Sequence, residues 1–200
     1  MNSEPISVNL DLYPQRRFDV IDVSQKVVEK VGNIIDKYPK AIYCSYHTTA
    51  GYLEQGICSK LQYSKTKIIS YIKAYQDIFP MNADYIHDKM DLRNELSEDQ
   101  RKVEPKNADS HLTFISSGLK NCATYFNNPE QPVYFIELDG VSEFGKRKRI
   151  TSALYYNAEE PVYDHTEAIP VSNHHIDAIS LRDPELGYLE KLNEKLKRDC

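Results

Sequence analysis

The sequence predicts an α+β protein, and three observations carry that reading. Apolar residues alternate with polar ones at Ile6, Val8, Leu10 and Leu12, the period of a half-buried strand. Helical stripes occupy roughly 24–37 and 58–79, and three strand-like runs follow at 119–126, 132–138 and 147–156. Strands and helices therefore come in groups. Strict alternation, the mark of a doubly wound parallel sheet, is not the pattern.

Each element has its own local reason. Tyr13-Pro14-Gln15-Arg16-Arg17 interrupts the first strand, and Phe18, Val20 and Asp22 resume an extended pattern, which predicts a hairpin. Val27, Val28, Val31, Ile34 and Ile35 form the stripe of the first helix, with Asp22 or Ser24 as its cap. Pro39 ends it. Residues 40–46 read as a strand rich in aromatic and small apolar types. Leu61, Ile68, Ile69, Ile72, Tyr75 and Phe79 predict one long helix, stopped by Pro80.

Residues 82–108 are charged and weakly periodic, too long for a plain connector. A short helix over 109–118 takes Asn107 or Asp109 as its cap. The strands 132–138 and 147–156 are joined around Asp139-Gly140. Residues 157–182 look irregular. Asp183-Pro184 then opens a terminal helix striped by Leu186, Leu189, Leu192 and Leu196. The expected organisation is one α+β domain over 1–156 and a C-terminal extension over 157–200, packed on that domain or on a neighbouring subunit.

Composition narrows the function classes. The chain has 200 residues, net charge −5, fifteen tyrosines and no tryptophan. That is a folded composition, which excludes a disordered or collagen-like chain, and its acidity disfavours a nucleic-acid-coating surface. The longest apolar runs are far short of a membrane span, and the start Met-Asn-Ser-Glu-Pro does not read as an export signal, so a cytoplasmic protein is expected. Cys44, Cys58, Cys122 and Cys200 contain no close-spaced pair and are read as free thiols, Cys44 and Cys122 as small core residues. No glycine-rich nucleotide loop and no serine-hydrolase elbow is present.

The histidines carry most of the chemistry. His47 ends a strand before Thr48-Thr49-Ala50-Gly51; His87 sits between Tyr85 and Asp88; His111 follows Asn107-Ala108-Asp109-Ser110. Imidazoles converging from a strand end, a loop and a helix start can hold a divalent metal with an open position, or move protons. Asp88 and Asp109 are placed to orient them, to ligate, or to share the proton transfer. Thr48, Thr49 and Gly51 can bring backbone close to a ligand, although a tight turn explains the same residues. Tyr46, Tyr52 and Tyr85 flank the motifs and can line a pocket. Asp164-His165 and Asn173-His174-His175 in the extension read as surface residues or as a second cluster.

The runs His47-Thr48-Thr49-Ala50-Gly51, Tyr85-x-His87-Asp88, Asn107-Ala108-Asp109-Ser110-His111-Leu112 and Glu137-x-Asp139-Gly140 resemble, in order, motifs of the YjbQ family, also known as the secondary thiamine-phosphate synthase family. The likeness covers roughly residues 5–156. It implies a YjbQ-like domain with a large, mostly antiparallel sheet, assembled as a homotrimer. It also implies a site in which His47, His87 and His111 match the family's histidines and hold a divalent metal, Zn or Mg. The implied function is a metal-dependent enzyme acting on a small phosphorylated metabolite, with thiamine-phosphate synthesis as one form. In that reaction a thiazole nitrogen attacks a pyrimidine methylene as pyrophosphate leaves.

His47, His87, His111, Asp88 and Asp109 are then the expected catalytic set, and Thr48, Thr49, Gly51, Asn107, Gln131, Arg147 and Arg149 the expected substrate contacts. Arg93 and Lys106 are further candidate cations. The chain departs from the family where a Gly-Thr-Trp-Gln stretch falls on Asn128-Pro129-Glu130-Gln131, keeping only Gln131, and where an Asn-Glu pair is replaced by Gln55 and Gly56. These departures leave two alternatives open: a non-catalytic ligand-binding or assembly module, and a phosphate-ester hydrolase using the same histidines.

Overall fold

A computed structural model describes residues 4–142 and 145–157. The terminal leucine helix, His165, His174 and His175 lie outside the described residues. Strand β1 (Ile6–Leu12) buries Val8, Leu10 and Leu12 on one face, as its alternation predicts. Strand β2 (Asp19–Asp22) does not fold back on β1. The predicted hairpin is replaced by a crossing between two sheets. The linking segment packs on Gly140, whose N–H donates to the Arg17 carbonyl at 2.8 Å. A Cβ on Gly140 would lie 2.5 Å from the Pro14 side chain, so this crossing requires glycine there.

Asp22 caps helix α1 (Val23–Val31) by accepting the Gln25 N–H at 3.0 Å. Gly32, at φ 70°, ends α1 at Val31, short of the predicted terminus at 37, and a 3-10 turn carries the chain from Gly32 to Lys37. That change of pitch buries Ile35 and leaves Ile34 exposed. Strand β3 (Lys40–Ser45) follows, then the short β4 (Ala50–Gly51).

The predicted long helix is two: α2 (Gln55–Lys60) and α3 (Lys65–Ile78). Gln62 and Tyr63 take positive φ between them, and the Ser64 side chain caps α3 by accepting the Lys67 N–H. Ile68 and Ile72 are the fully buried residues of its stripe.

The charged stretch is ordered around one cation. Arg93 is buried, donates to Glu95 at 2.7 Å and to Glu104 at 3.2 Å, and its carbonyl accepts from Arg101. Helix α4 (Glu98–Val103) opens with a Ser97/Gln100 capping box. Helix α5 (Ala108–Ser116) matches its prediction within two residues. The closing strands are β5 (Cys122–Phe126), β6 (Tyr134–Glu137), the small pair β7 (Val141–Ser142) and β8 (Gly145–Lys146), and β9 (Arg149–Tyr156).

The strands form antiparallel sheets of order β1-β9-β3-β5 and β2-β6-β4, with β7-β8 apart. The fold is α+β, as expected. Strands β6 and β9, read as neighbours around Asp139-Gly140, fall in different sheets, and the β7–β8 hairpin carries the chain between them.

Tyrosines join the sheets. Tyr43 packs edge-on against Tyr125 and Tyr155 within the four-stranded sheet, and Tyr52, just after β4, carries the contact across, with ring centroids 5.6 Å from both Tyr43 and Phe135 of β6. Their hydroxyls are satisfied inside, Tyr43 with Tyr155 at 2.7 Å and Tyr52 with Thr151. This is how a chain short of aliphatic residues fills a core. Among the described residues no helix is long and apolar enough to cross a membrane.

Candidate functional site

Two sequence motifs meet at Asp139, which follows β6. Its Oδ2 accepts from Asn107 Nδ2 at 2.7 Å and from Arg147 Nη2 at 2.9 Å. Its Oδ1 lies 3.8 Å from Arg17 Nε. Arg17 reaches across to helix α5 and grips Asp109 with two hydrogen bonds, at 2.6 and 2.8 Å. This contact raises the Arg17 pKa further above its ordinary value. Asn107 stands at the N-cap position of α5 but does not cap it, because its amide goes to Asp139. Asp88 takes over part of that role, accepting the Ala108 N–H at 3.1 Å.

The same Asp88 oxygen lies 3.0 Å from His87 Nδ1, fixing the ring from one side. His111, one turn into α5, lies with its ring centroid 5.1 Å from that of His87. Its pKa falls to about 4, first because burial penalises the charged ring and then because His87 and Arg93 repel a proton there. His111 is therefore neutral at pH 7. Arg17 and Arg147 keep about a quarter of their side-chain surface in solvent, and His87 nearly as much. A neutral imidazole, an oriented imidazole and two partly open guanidinium groups are thus linked through Asp88, Asp109, Asp139 and the start of α5.

No family model and no curated protein matches the sequence. Solved structures superpose on the chain. A hypothetical protein from Aeropyrum pernix K1 superposes with a TM-score of 0.51 at 17% identity, over 76% of this chain and 99% of that one. A YbjQ-like protein of unknown function from Sulfolobus solfataricus P2 reaches 0.49 at 14% identity, over 78% and 99%. An uncharacterized yjbq/UPF0047-family protein from Clostridium acetobutylicum reaches 0.46 at 18%, over 73% and 97%. The chain shares its α+β fold with the Aeropyrum protein.

Within this α+β fold the expected site residues divide. His87, His111, Asp88, Asp109, Asn107 and Arg147 lie in the network just described. His47 is held separately: its Nε2 accepts the Ile150 N–H at 2.9 Å and its carbonyl accepts from Asn121 at 2.6 Å. Three histidines arranged as a metal centre are not what the geometry offers. Among the described residues no three His, Cys, Asp or Glu side chains are grouped to hold an ion. His47 Nε2 would first have to give up its backbone partner. The residues present do not fit the three-histidine metal.

Three other expected contacts support the scaffold. Arg149 is buried and forks onto Glu137, with Nη2 2.8 Å from Oε1 and further contacts to the Thr49 hydroxyl and the Asp139 carbonyl. Burial still pushes the Glu137 carboxyl up, because desolvation outweighs the guanidinium. Thr49 is buried, and its carbonyl accepts the Leu138 N–H. Gly51 pairs with Ile136, and a Cβ there would sit 2.3 Å from the Lys120 carbonyl oxygen. These three serve β4 rather than a ligand loop. Thr48 is exposed.

Gln131 lines a different cavity of about 360 Å³, floored by Tyr43, Tyr125 and Tyr155. Of the flanking tyrosines, Tyr52 is core, Tyr85 donates to the Pro80 carbonyl, and Tyr46 pairs with Ser152. Of the candidate cations, Arg93 is committed to Glu95 and Glu104, and Lys106 is exposed.

Arg17 and Asp139 were missed as site residues by sequence reasoning. Arg17 reads as part of a strand break, and Asp139-Gly140 as a turn. The one usable signal was the Glu137-x-Asp139-Gly140 run followed by basic residues.

Proposed function

We propose that this chain is an enzyme acting on a small phosphorylated metabolite, with His87 and His111 as its proton-transfer pair and Arg17 and Arg147 facing the anion. The observation that carries the reading is the His87–His111 pair, one ring oriented by Asp88 and the other kept neutral by burial. Such a pair can take a proton from an attacking group and give one to a leaving oxygen. The guanidinium groups are already fixed by Asp109 and Asp139, so they need little reorganisation to meet phosphate charge. Asn107 Oδ1 is buried and has no hydrogen-bond partner among the described residues, an acceptor available to a substrate donor or a water.

The test is a screen of small phosphate monoesters and pyrophosphates, followed by phosphorus NMR. Turnover is expected, and His87→Ala and His111→Ala should each lower it about a hundredfold or more. Turnover that survives both substitutions would overturn the assignment. Saturable thermal stabilisation by these compounds without turnover would replace the enzyme with a binding module. Thiamine-phosphate synthesis is the narrower form of the proposal. It predicts that the chain rescues a strain lacking thiamine-phosphate synthase and that His111→Ala does not.

A further inference from the structure

Cys44 on β3 and Cys122 on β5 are direct cross-strand partners. The neighbouring pair is hydrogen-bonded, since the Ser45 N–H donates to the Asn121 carbonyl at 2.6 Å. Bonded and non-bonded pairs alternate along an antiparallel ladder, so Cys44 and Cys122 occupy a non-hydrogen-bonded position. There the Cα atoms approach to about 4.5 Å, inside the roughly 4.4–6.8 Å span that a disulfide bridges. Both side chains point to the same face, and their Sγ atoms are 2.7 Å apart. Both residues are half-buried, open enough for a small oxidant, whereas Cys58 is buried against the Leu53 carbonyl and the Tyr125 hydroxyl.

We propose that Cys44 and Cys122 are an oxidation site that closes reversibly into a cross-strand disulfide, with a peroxide as the oxidant. The sulfurs face each other at 2.7 Å, so either can attack first; the step is written for Cys122. The Cys122 thiolate attacks one peroxide oxygen, the O–O bond breaks, and the departing hydroxide takes up a proton as water. The resulting sulfenic acid is attacked by the Cys44 sulfur. The S–S bond forms, the S–O bond breaks, and the Cys44 proton leaves with the hydroxyl as a second water. Two thiols lose two electrons and one peroxide gains them.

The bridge has a structural reach. Ser45 and Asn121, the residues beside the two cysteines, hold the His47 segment: the Ser45 hydroxyl meets the His47 N–H, and the Asn121 amide meets the His47 carbonyl. Closing the disulfide ties these two supports together. The proposal is independent of the acid–base reading of His87 and His111.

The experiment uses the full chain. Folded protein is treated with one equivalent of hydrogen peroxide, then denatured and alkylated with N-ethylmaleimide, and its intact mass is measured. Reduced protein takes up four labels, one for each cysteine. After peroxide two labels are expected, and dithiothreitol should restore four. The double variant Cys58→Ser/Cys200→Ser should fall from two labels to none, and Cys44→Ser should lose no pair of thiols. Peptide mapping of the oxidised wild type should recover one cross-link joining Cys44 to Cys122, a readout that needs no variant to fold. Four labels after peroxide, or a cross-link mapped to any other pair, would overturn the proposal.

Discussion

Arg17 and Asp109 meet through a two-point fork, at 2.6 and 2.8 Å, although 92 residues of chain separate them. The fork joins the crossing between β1 and β2 to the first turn of α5. It brings a cation next to the helix that carries His111. Geometry of this kind belongs to arginine, whose planar donors match both carboxylate oxygens at once.

Replacing Arg17 should therefore cost stability as well as charge. Arg17→Met leaves Asp109 nearly buried without its partner, and a loss of about 2 kcal/mol is expected for charged hydrogen bonds of this exposure. Arg17→Lys keeps the charge but not the fork, so it should recover only part of the loss. Urea unfolding at pH 7 measures both. Equal stability of the lysine variant and the wild type would show that charge alone matters there.

Glu137 and Arg149 make a second, deeper pair. Glu137 has no exposed side-chain surface and Arg149 almost none. Arg149→Met should destabilise by about 3–5 kcal/mol, because it leaves a buried carboxylate unpaired. Adding Glu137→Gln should return a large part of that loss. A double-mutant cycle by chemical denaturation gives the coupling. Additive losses would mean that the two side chains do not act as a pair.

Two glycines separate packing from conformational freedom. At Gly51 a Cβ meets the Lys120 carbonyl at 2.3 Å, and backbone cannot move aside cheaply. Gly51→Ala should cost about 1–3 kcal/mol, as overpacking does. At Gly56, inside α2, a Cβ has nothing within 4 Å, so Gly56→Ala should stabilise by about 0.5–1 kcal/mol. Thermal melting of both variants tests the contrast. A neutral Gly51→Ala would return this residue to the ligand-facing role that its motif suggested.

Strands β1, β3, β5, β6 and β9 and the Asp22 cap were legible because each depends on local periodicity or a single side chain, whereas the two-residue strands β4, β7 and β8 are too short to show a period. The break between α2 and α3 was not. The apolar stripe runs through it, and only the positive φ at Gln62 and Tyr63 marks it, at residues that carry no turn signal. The β1–β2 hairpin failed for a non-local reason: its linker packs on Gly140, more than 120 residues away. The site divided along the same line. His87 with Asp88 is a sequence-adjacent pair and could be read. The commitment of Thr49 and Arg149 to the β4–β6 support, and the arrival of Arg17 at Asp109, depend on strand order. Motif spacing does not encode strand order.

His111 gives the pH dependence. An ordinary histidine titrates near 6.5, and this one is lowered to about 4 in the folded protein. Between those values the unfolded chain binds a proton that the folded chain refuses, so stability falls as pH drops from 6.5 toward 4. At full protonation the contribution is on the order of 3 kcal/mol, given about 1.4 kcal/mol for each unit of pKa difference. It is regained above pH 6.5, where both states hold a neutral ring. His111→Gln removes the titrating group while keeping a polar side chain, and should flatten the slope across this window. Urea midpoints at pH 4.5, 5.5 and 7 in the two proteins provide the comparison. Parallel curves would mean that other groups carry the acid sensitivity, and that the His111 ring is charged in the folded state at lower cost than its burial implies.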